Sequence, residues 1–240
     1  DALPISDDWS TPESIYAATL RSFPTSYAAL YGLGGLRLEE GTAASARGDA
    51  AAAADALDEA ARLFDAAAEA AAGDAGREVD ARFGRGRALV VRGDFEAAVS
   101  VLREVDRALA ASPDLARTSR HAAEARFQLG LALSQVPRLA EAEEVFRRLI
   151  EIHGETARRL DAYGEVLRAR RDGRALTQYD RALAIDPDHH PARIHLAEML
   201  RAQEGYEGLA RQQLKEVLAR DPSNRRAREL LEAWTRGDSP

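Results

Sequence analysis

DPDHHPARIHLAEML (residues 186–200) and DPSNRRARELLEAWT (residues 221–235) are two copies of one pattern. At an offset of 35 residues, Asp186-Pro187 falls on Asp221-Pro222, Ala192-Arg193 on Ala227-Arg228 and Leu196 on Leu231. Just upstream, Leu183-Ala184 falls on Leu218-Ala219. The spacing predicts helices separated by a turn at Gly205, with Asp-Pro as the break, since proline removes a backbone donor and disfavours helix in the residue before it. Two helices, a glycine turn, Asp-Pro and the same again make a helical-hairpin array.

Working upstream, the pattern continues with looser spacing. Ala81-Arg82-Phe83-Gly84-Arg85-Gly86-Arg87-Ala88-Leu89 returns 44 residues later as Ala125-Arg126-Phe127-Gln128-Leu129-Gly130-Leu131-Ala132-Leu133, with six of nine positions identical. Tyr163-Gly164, Leu167 and the turn Asp172-Gly173 begin a further copy. The small residues Gly86, Gly130, Gly164 and Ala197 let paired helices approach, as do Ala98, Ala142 and Ala175 from the other side. Leu102, Phe146, Tyr179 and Leu214 are the large residues that fill the space between hairpins. Residues 223–240, with Leu230, Leu231 and Trp234, read as a first helix without a second, the arrangement that closes an open repeat array.

The front of the chain is less regular. Residues 1–24 read as an extended arm and a short helix, with Ser10-Thr11-Pro12-Glu13 as its start. Residues 25–76 read as a divergent first hairpin. Gly32, Gly34 and Gly35 fall inside its first helix, at roughly 1 kcal/mol each relative to alanine. Either a neighbour approaches closely there or the helix is interrupted. The alanine-rich segment to about Ala72 is a helix with Leu57, Ala61, Phe64 and Ala68 on one face.

Residues 78–236 resemble the tetratricopeptide-repeat family, whose 34-residue unit is a helix–turn–helix with small and large residues at set places. The resemblance implies an all-α fold, a right-handed α-solenoid of about five helical hairpins with a C-terminal capping helix. The repeats would span about 77–113, 119–154, 156–187 and 190–222. The family's bulky aromatic early in the first helix is missing here. The family lines its inner wall with the first helix of each repeat, which implies partner-binding positions at Phe83, Arg87, Val90, Phe127, Leu131, Gln135, Asp161, Glu165, Arg168, Ile194, Glu198 and Arg201. Phe83 and Phe127 share a register position, so they form either a ladder along the groove or part of the packing between repeats. The positions at which chaperone-binding members clamp a terminal carboxylate hold Phe, Asp and Ile, which argues against a chaperone-tail receptor. Residues 110–150 are similar to bacterial cell-envelope members of the family.

Composition and motifs bound the chemistry. The chain has 240 residues, no cysteine, and a formal net charge of -7. Thiolate metal sites and cysteine nucleophiles are excluded, and the acidic balance argues against a general nucleic-acid binder. Of 33 basic residues only Lys215 is lysine. No apolar run is long enough to span a membrane. Gly84-x-Gly86 lacks the third glycine and preceding strand of a phosphate loop. His189, His190 and His195, with Asp186, Asp188 and Glu198, form the densest group of metal-ligand types. The first two fall in the Asp-Pro turn and His195 lies off an i, i+4 face, so they read as solvated turn histidines. No cofactor, metal or enzyme activity is expected.

The expectation is a non-catalytic scaffold or adaptor that binds a protein or peptide, as a subunit of a larger bacterial assembly. A peptide-sensing regulator and an accessory subunit of a cofactor-bearing enzyme complex are the alternatives. The start at Asp1 without methionine fits either export or trimming, and a periplasmic or envelope-associated location is the expectation over the cytoplasm.

Overall fold

A computed structural model describes residues 11–237, which hold thirteen helices and no strand. The chain divides into two compact units, residues 1–138 and 139–240.

The N-terminal unit holds α1 (Pro12–Ser22), α2 (Tyr27–Ala46), α3 (Ala50–Ala70), α4 (Ala75–Arg92), α5 (Phe95–Ala111), α6 (Pro113–Thr118) and α7 (Ala122–Gln135). Helix α1 starts as expected, but with different capping residues. Thr11 is the N-cap and Ser14 completes the capping box, which leaves Glu13 free to pair with Arg37 at 2.5 Å. Arg37 also meets Glu40 and Glu59 at 3.0 Å, so one guanidinium joins α1, α2 and α3.

Close approach explains Gly32, Gly34 and Gly41 of α2, which runs through them unbroken, whereas Gly35 meets open space. A β-carbon on Gly32 would lie 2.3 Å from the Tyr16 ring, and one on Gly41 would lie 2.6 Å from Leu57. Phe64 of α3, 2% exposed, is the wedge of the unit. Its ring sits against Gly34 of α2 and Gly84 of α4, where a β-carbon would come within 3.2 Å and 2.5 Å. Leu102 of α5 fills the place over Gly86 in the same way. The glycine pair in α4 is therefore a packing surface for two large side chains. Helix α3 buries Ala53, Ala56, Leu57, Ala60, Phe64 and Ala67. That face is rotated from the expected stripe, since Ala61 and Ala68 are only half-buried.

The C-terminal unit holds α8 (Leu139–His153), α9 (Ala157–Ala169), α10 (Arg174–Ile185), α11 (His190–Arg201), α12 (Glu207–Arg220) and α13 (Arg225–Arg236). Thr156 caps α9 and Asn224 caps α13 through their side chains. Helices α9 and α10 pair, α11 and α12 pair, and α13 packs on α12. Tyr179 of α10 is fully buried over Gly164 of α9, where a β-carbon would lie 2.5 Å from the ring. Arg193 is also buried. Its guanidinium donates to Gln213 at 3.0 Å, to Glu216 at 2.6 Å and to the Pro187 carbonyl at 2.8 Å, tying α11 to α12 and to the preceding turn.

Candidate functional site

The first helices of the repeats carry the expected binding positions, and the two units treat them differently. In the N-terminal unit Phe83 is 1% exposed and Phe127 4%. Phe83 lies 4.8 Å from the His121 ring between centroids, with the Arg87 guanidinium 5.8 Å from its own. Both phenyl rings are buried. Val90 and Leu131 are half-buried, and Arg87 and Gln135 are exposed. Burial holds the His121 imidazole below its ordinary pKa, against the pull of Asp80.

In the C-terminal unit the same positions build a polar network. Asp161 of α9 is buried and accepts two imidazole N–H groups, from His195 Nδ1 at 2.7 Å and from His189 Nε2 at 3.2 Å. Glu165, one turn on, accepts from the Tyr179 hydroxyl at 2.5 Å and from Arg168 through both Nε, at 2.8 Å, and Nη2, at 2.6 Å. Glu165 also lies 3.6 Å from His195 Nδ1. Ile194 is buried on α11 beside this network, and Glu198 accepts from Arg226 of α13 at 2.6 Å.

These contacts set the protonation states. Burial disfavours charge on His195, but its hydrogen bond to Asp161 and the nearby carboxylates Glu165 and Glu198 outweigh it and hold the pKa above the ordinary value. Burial pushes the Tyr179 hydroxyl far up, and its bond to Glu165 adds to the shift. Burial opposes charge on Glu165 as well, but the bonds it accepts from Arg168 and Tyr179 hold its pKa below the usual carboxylate range. Asp161 thus holds α11 to α9, and its partners are not the solvated turn histidines expected from sequence. His195 lies 34 residues from Asp161, so the repeat period brings the two together, a relation that a search for i, i+4 pairs misses. Among the described residues no group of three or more acidic or histidine side chains is arranged to hold a metal ion.

Two adjoining recesses open on this side of α9, α11 and α13. One, of about 410 Å³, is lined by Arg168, Glu198, Arg201, Ala202, Arg226, Leu230 and Trp234. The other, of about 370 Å³, shares Arg168, Glu198 and Arg226 and adds Ile194 and His195. The structure therefore brings together Arg168, Ile194, Glu198 and Arg201 of the expected positions, with Asp161 and Glu165 behind them. It adds Arg226, Leu230 and Trp234 from the terminal helix, which the sequence reading treats only as a cap.

Residues 123–154 match the tetratricopeptide repeat family. Among solved structures, the chain is similar to YrrB, a TPR protein described as having an unusual peptide-binding site, at 17% identity and a TM-score of 0.58. That match covers 90% of this chain and 97% of the other. It is similar to TTC0263, a thermophilic TPR protein of Thermus thermophilus, at 20% identity and a TM-score of 0.59, covering 83% and 97%. It is similar also to BtubC from P. vanneervenii at 16% identity and a TM-score of 0.56, covering 95% and 92%. Likeness at these identities is a likeness of fold. No curated protein matches the chain.

Proposed function

We propose that this chain, a tetratricopeptide-repeat protein, is a non-catalytic binding module that holds a segment of a partner protein on the exposed faces of α9, α11 and α13. The observation that carries the reading is the pair of adjoining recesses along those helices, one bordered by Leu230 and Trp234 and both walled by charged side chains. A few apolar anchors with placed polar groups are what a peptide-recognition surface needs. The network behind the recess suits that role, since Asp161 and Glu165 fix the relative position of α9, α10 and α11 through side chains that are themselves held. A rigid wall loses little entropy when a ligand docks. The module would serve as one subunit of a larger assembly, with any chemistry supplied by its partners.

Peptides selected from a random display library on the immobilised full chain test this. Selected peptides are expected to bind saturably and to slow amide hydrogen exchange in α9, α11 and α13. Enrichment of no peptide, or protection confined to the N-terminal unit, contradicts the reading.

A further inference from the structure

The charges around the larger recess do not cancel. Its lining carries three arginines and one glutamate. Arg168 is matched by Glu165 and Arg226 by Glu198, at 2.6 Å each. Arg201 has no carboxylate or other acceptor among the described residues, and its Nε is buried without a hydrogen-bond partner. Trp234, 2% exposed, borders the same recess, and its indole Nε1 is likewise buried and unpartnered. A buried donor left without an acceptor costs about 1–3 kcal/mol, and both of these donors belong to residues that line the same recess.

A simpler account exists for the charge alone. Arg201 sits in the last turn of α11, where a cation offsets the negative end of the helix dipole. Arg168 sits in the last turn of α9, yet it is given a carboxylate, so position on the helix does not explain why Arg201 lacks one. The chain as a whole is acidic, at -7, which makes a spare guanidinium over an apolar floor the more notable.

We infer that the recess recognises a carboxylate carried beside an apolar side chain, so that the docked segment is acidic, with Arg201 as its charged anchor and Leu230 and Trp234 as its floor. The inference rests on the docking reading above and adds the chemistry of the partner to it. A guanidinium can take a carboxylate through two parallel N–H···O bonds, and the indole N–H can donate to a carbonyl or carboxylate oxygen of the same segment. Glu198 and Glu165 already occupy the other two arginines, so a neutral or basic segment would leave Arg201 unmatched.

Two pools of fluorescein-labelled, end-blocked peptides test it, one with a fixed Leu-Glu-Leu-Glu core and one with Leu-Gln-Leu-Gln, both with randomised flanks. They are titrated against the full chain and followed by anisotropy. The glutamate pool is expected to bind about tenfold more tightly than the glutamine pool, with a preference that shrinks as salt is raised. Arg201→Gln should erase the preference, Arg201→Lys should keep part of it, and Arg47→Gln in the N-terminal unit should leave it unchanged. Circular dichroism of each variant checks that it is folded, and should Arg201→Gln fail to fold, Arg201→Lys carries the comparison. Equal binding of the two pools, no saturable binding of the glutamate pool, or a preference that survives Arg201→Gln overturns the inference. Equal binding that still protects α9, α11 and α13 from hydrogen exchange removes the acidic preference and leaves the docking reading standing. Absence of protection there, for these pools and for library-selected peptides, removes both.

Discussion

Phe83 in the N-terminal unit and Asp161 in the C-terminal unit stand at the same register position, three residues before a packing glycine, and both are buried. Their surroundings differ in kind. Phe83 lies against the His121 ring, whereas Asp161 takes hydrogen bonds from two imidazoles. The glycines that follow repeat the contrast. Leu102 fills the place over Gly86, and Tyr179 the place over Gly164, where it adds a hydroxyl bond to Glu165. The positions that decide whether two helices can approach are thus kept small and large in both units. The positions three residues before the glycines are free to become apolar core in one unit and part of a buried polar network in the other.

Truncation should separate the two kinds of burial most strongly. Phe83→Ala removes a fully enclosed ring and should cost the N-terminal unit roughly 3–5 kcal/mol. Asp161→Ala should cost the C-terminal unit about 1–3 kcal/mol, since the His195 imidazole it leaves can discharge by losing its proton. Native-state hydrogen exchange reads each unit separately, through α4 and α5 for one and α9 and α11 for the other. An Asp161→Ala loss as large as that of Phe83→Ala would mean that the network is the main support of its unit. Tyr179→Phe sharpens the comparison further. It keeps the ring over Gly164 and removes only the bond to Glu165, for an expected loss of about 1–3 kcal/mol in the same exchange measurement.

Much of this was legible in the sequence, for physical reasons that particular residues display. The Asp-Pro breaks mark helix ends, and Gly86 and Gly164 mark helix contacts, both of which depend on local backbone chemistry and size. Whether Phe83 faced a groove or the core was not legible, because a turn of one residue about the helix axis moves a side chain between the two. Helix α6 went unforeseen, although Ser112-Pro113 is a sound cap and first residue, because it is too short to show a period. Trp234 reads in the sequence as part of a capping helix, and only the fold places it beside Arg168, Glu198 and Arg201. His195 lies on no i, i+4 face with another ligand type, and its partner Asp161 lies one repeat away.

Acidity should move the two units in opposite directions. The folded-state pKa of His195 is raised above the ordinary 6.5, so its contribution is full below that value and is lost as pH rises through the higher folded pKa. That of His121 is lowered, so its contribution is present above 6.5 and is lost as pH falls through the lower folded value. Imidazole resonances followed by NMR should titrate above 6.5 for His195 and below it for His121. The reverse order would break the contrast.

The smallest effect concerns the turns. Seven residues after the packing glycine, the N-terminal unit has Gly93 at φ 85°, and the C-terminal unit has Arg171 at φ 59°. A side chain in the left-handed region costs roughly 1–2 kcal/mol, and glycine returns part of that as entropy in the unfolded chain. Arg171→Gly should therefore raise stability by about 0.5 kcal/mol, seen as slower exchange in α9 and α10. An unchanged or faster rate would show that Arg171 makes compensating contacts.

The central claim, that the C-terminal unit carries the binding surface, is tested most directly by the indole N–H of Trp234. The chain has two tryptophans, so Trp234→Phe assigns the two indole resonances in an NMR spectrum. Titration with the Leu-Glu-Leu-Glu peptide pool should shift the Trp234 resonance downfield, as an unpartnered donor gains an acceptor, together with the amides of α11 and α13. A stationary Trp234 indole, with shifts confined to α4 and α7, would contradict the account.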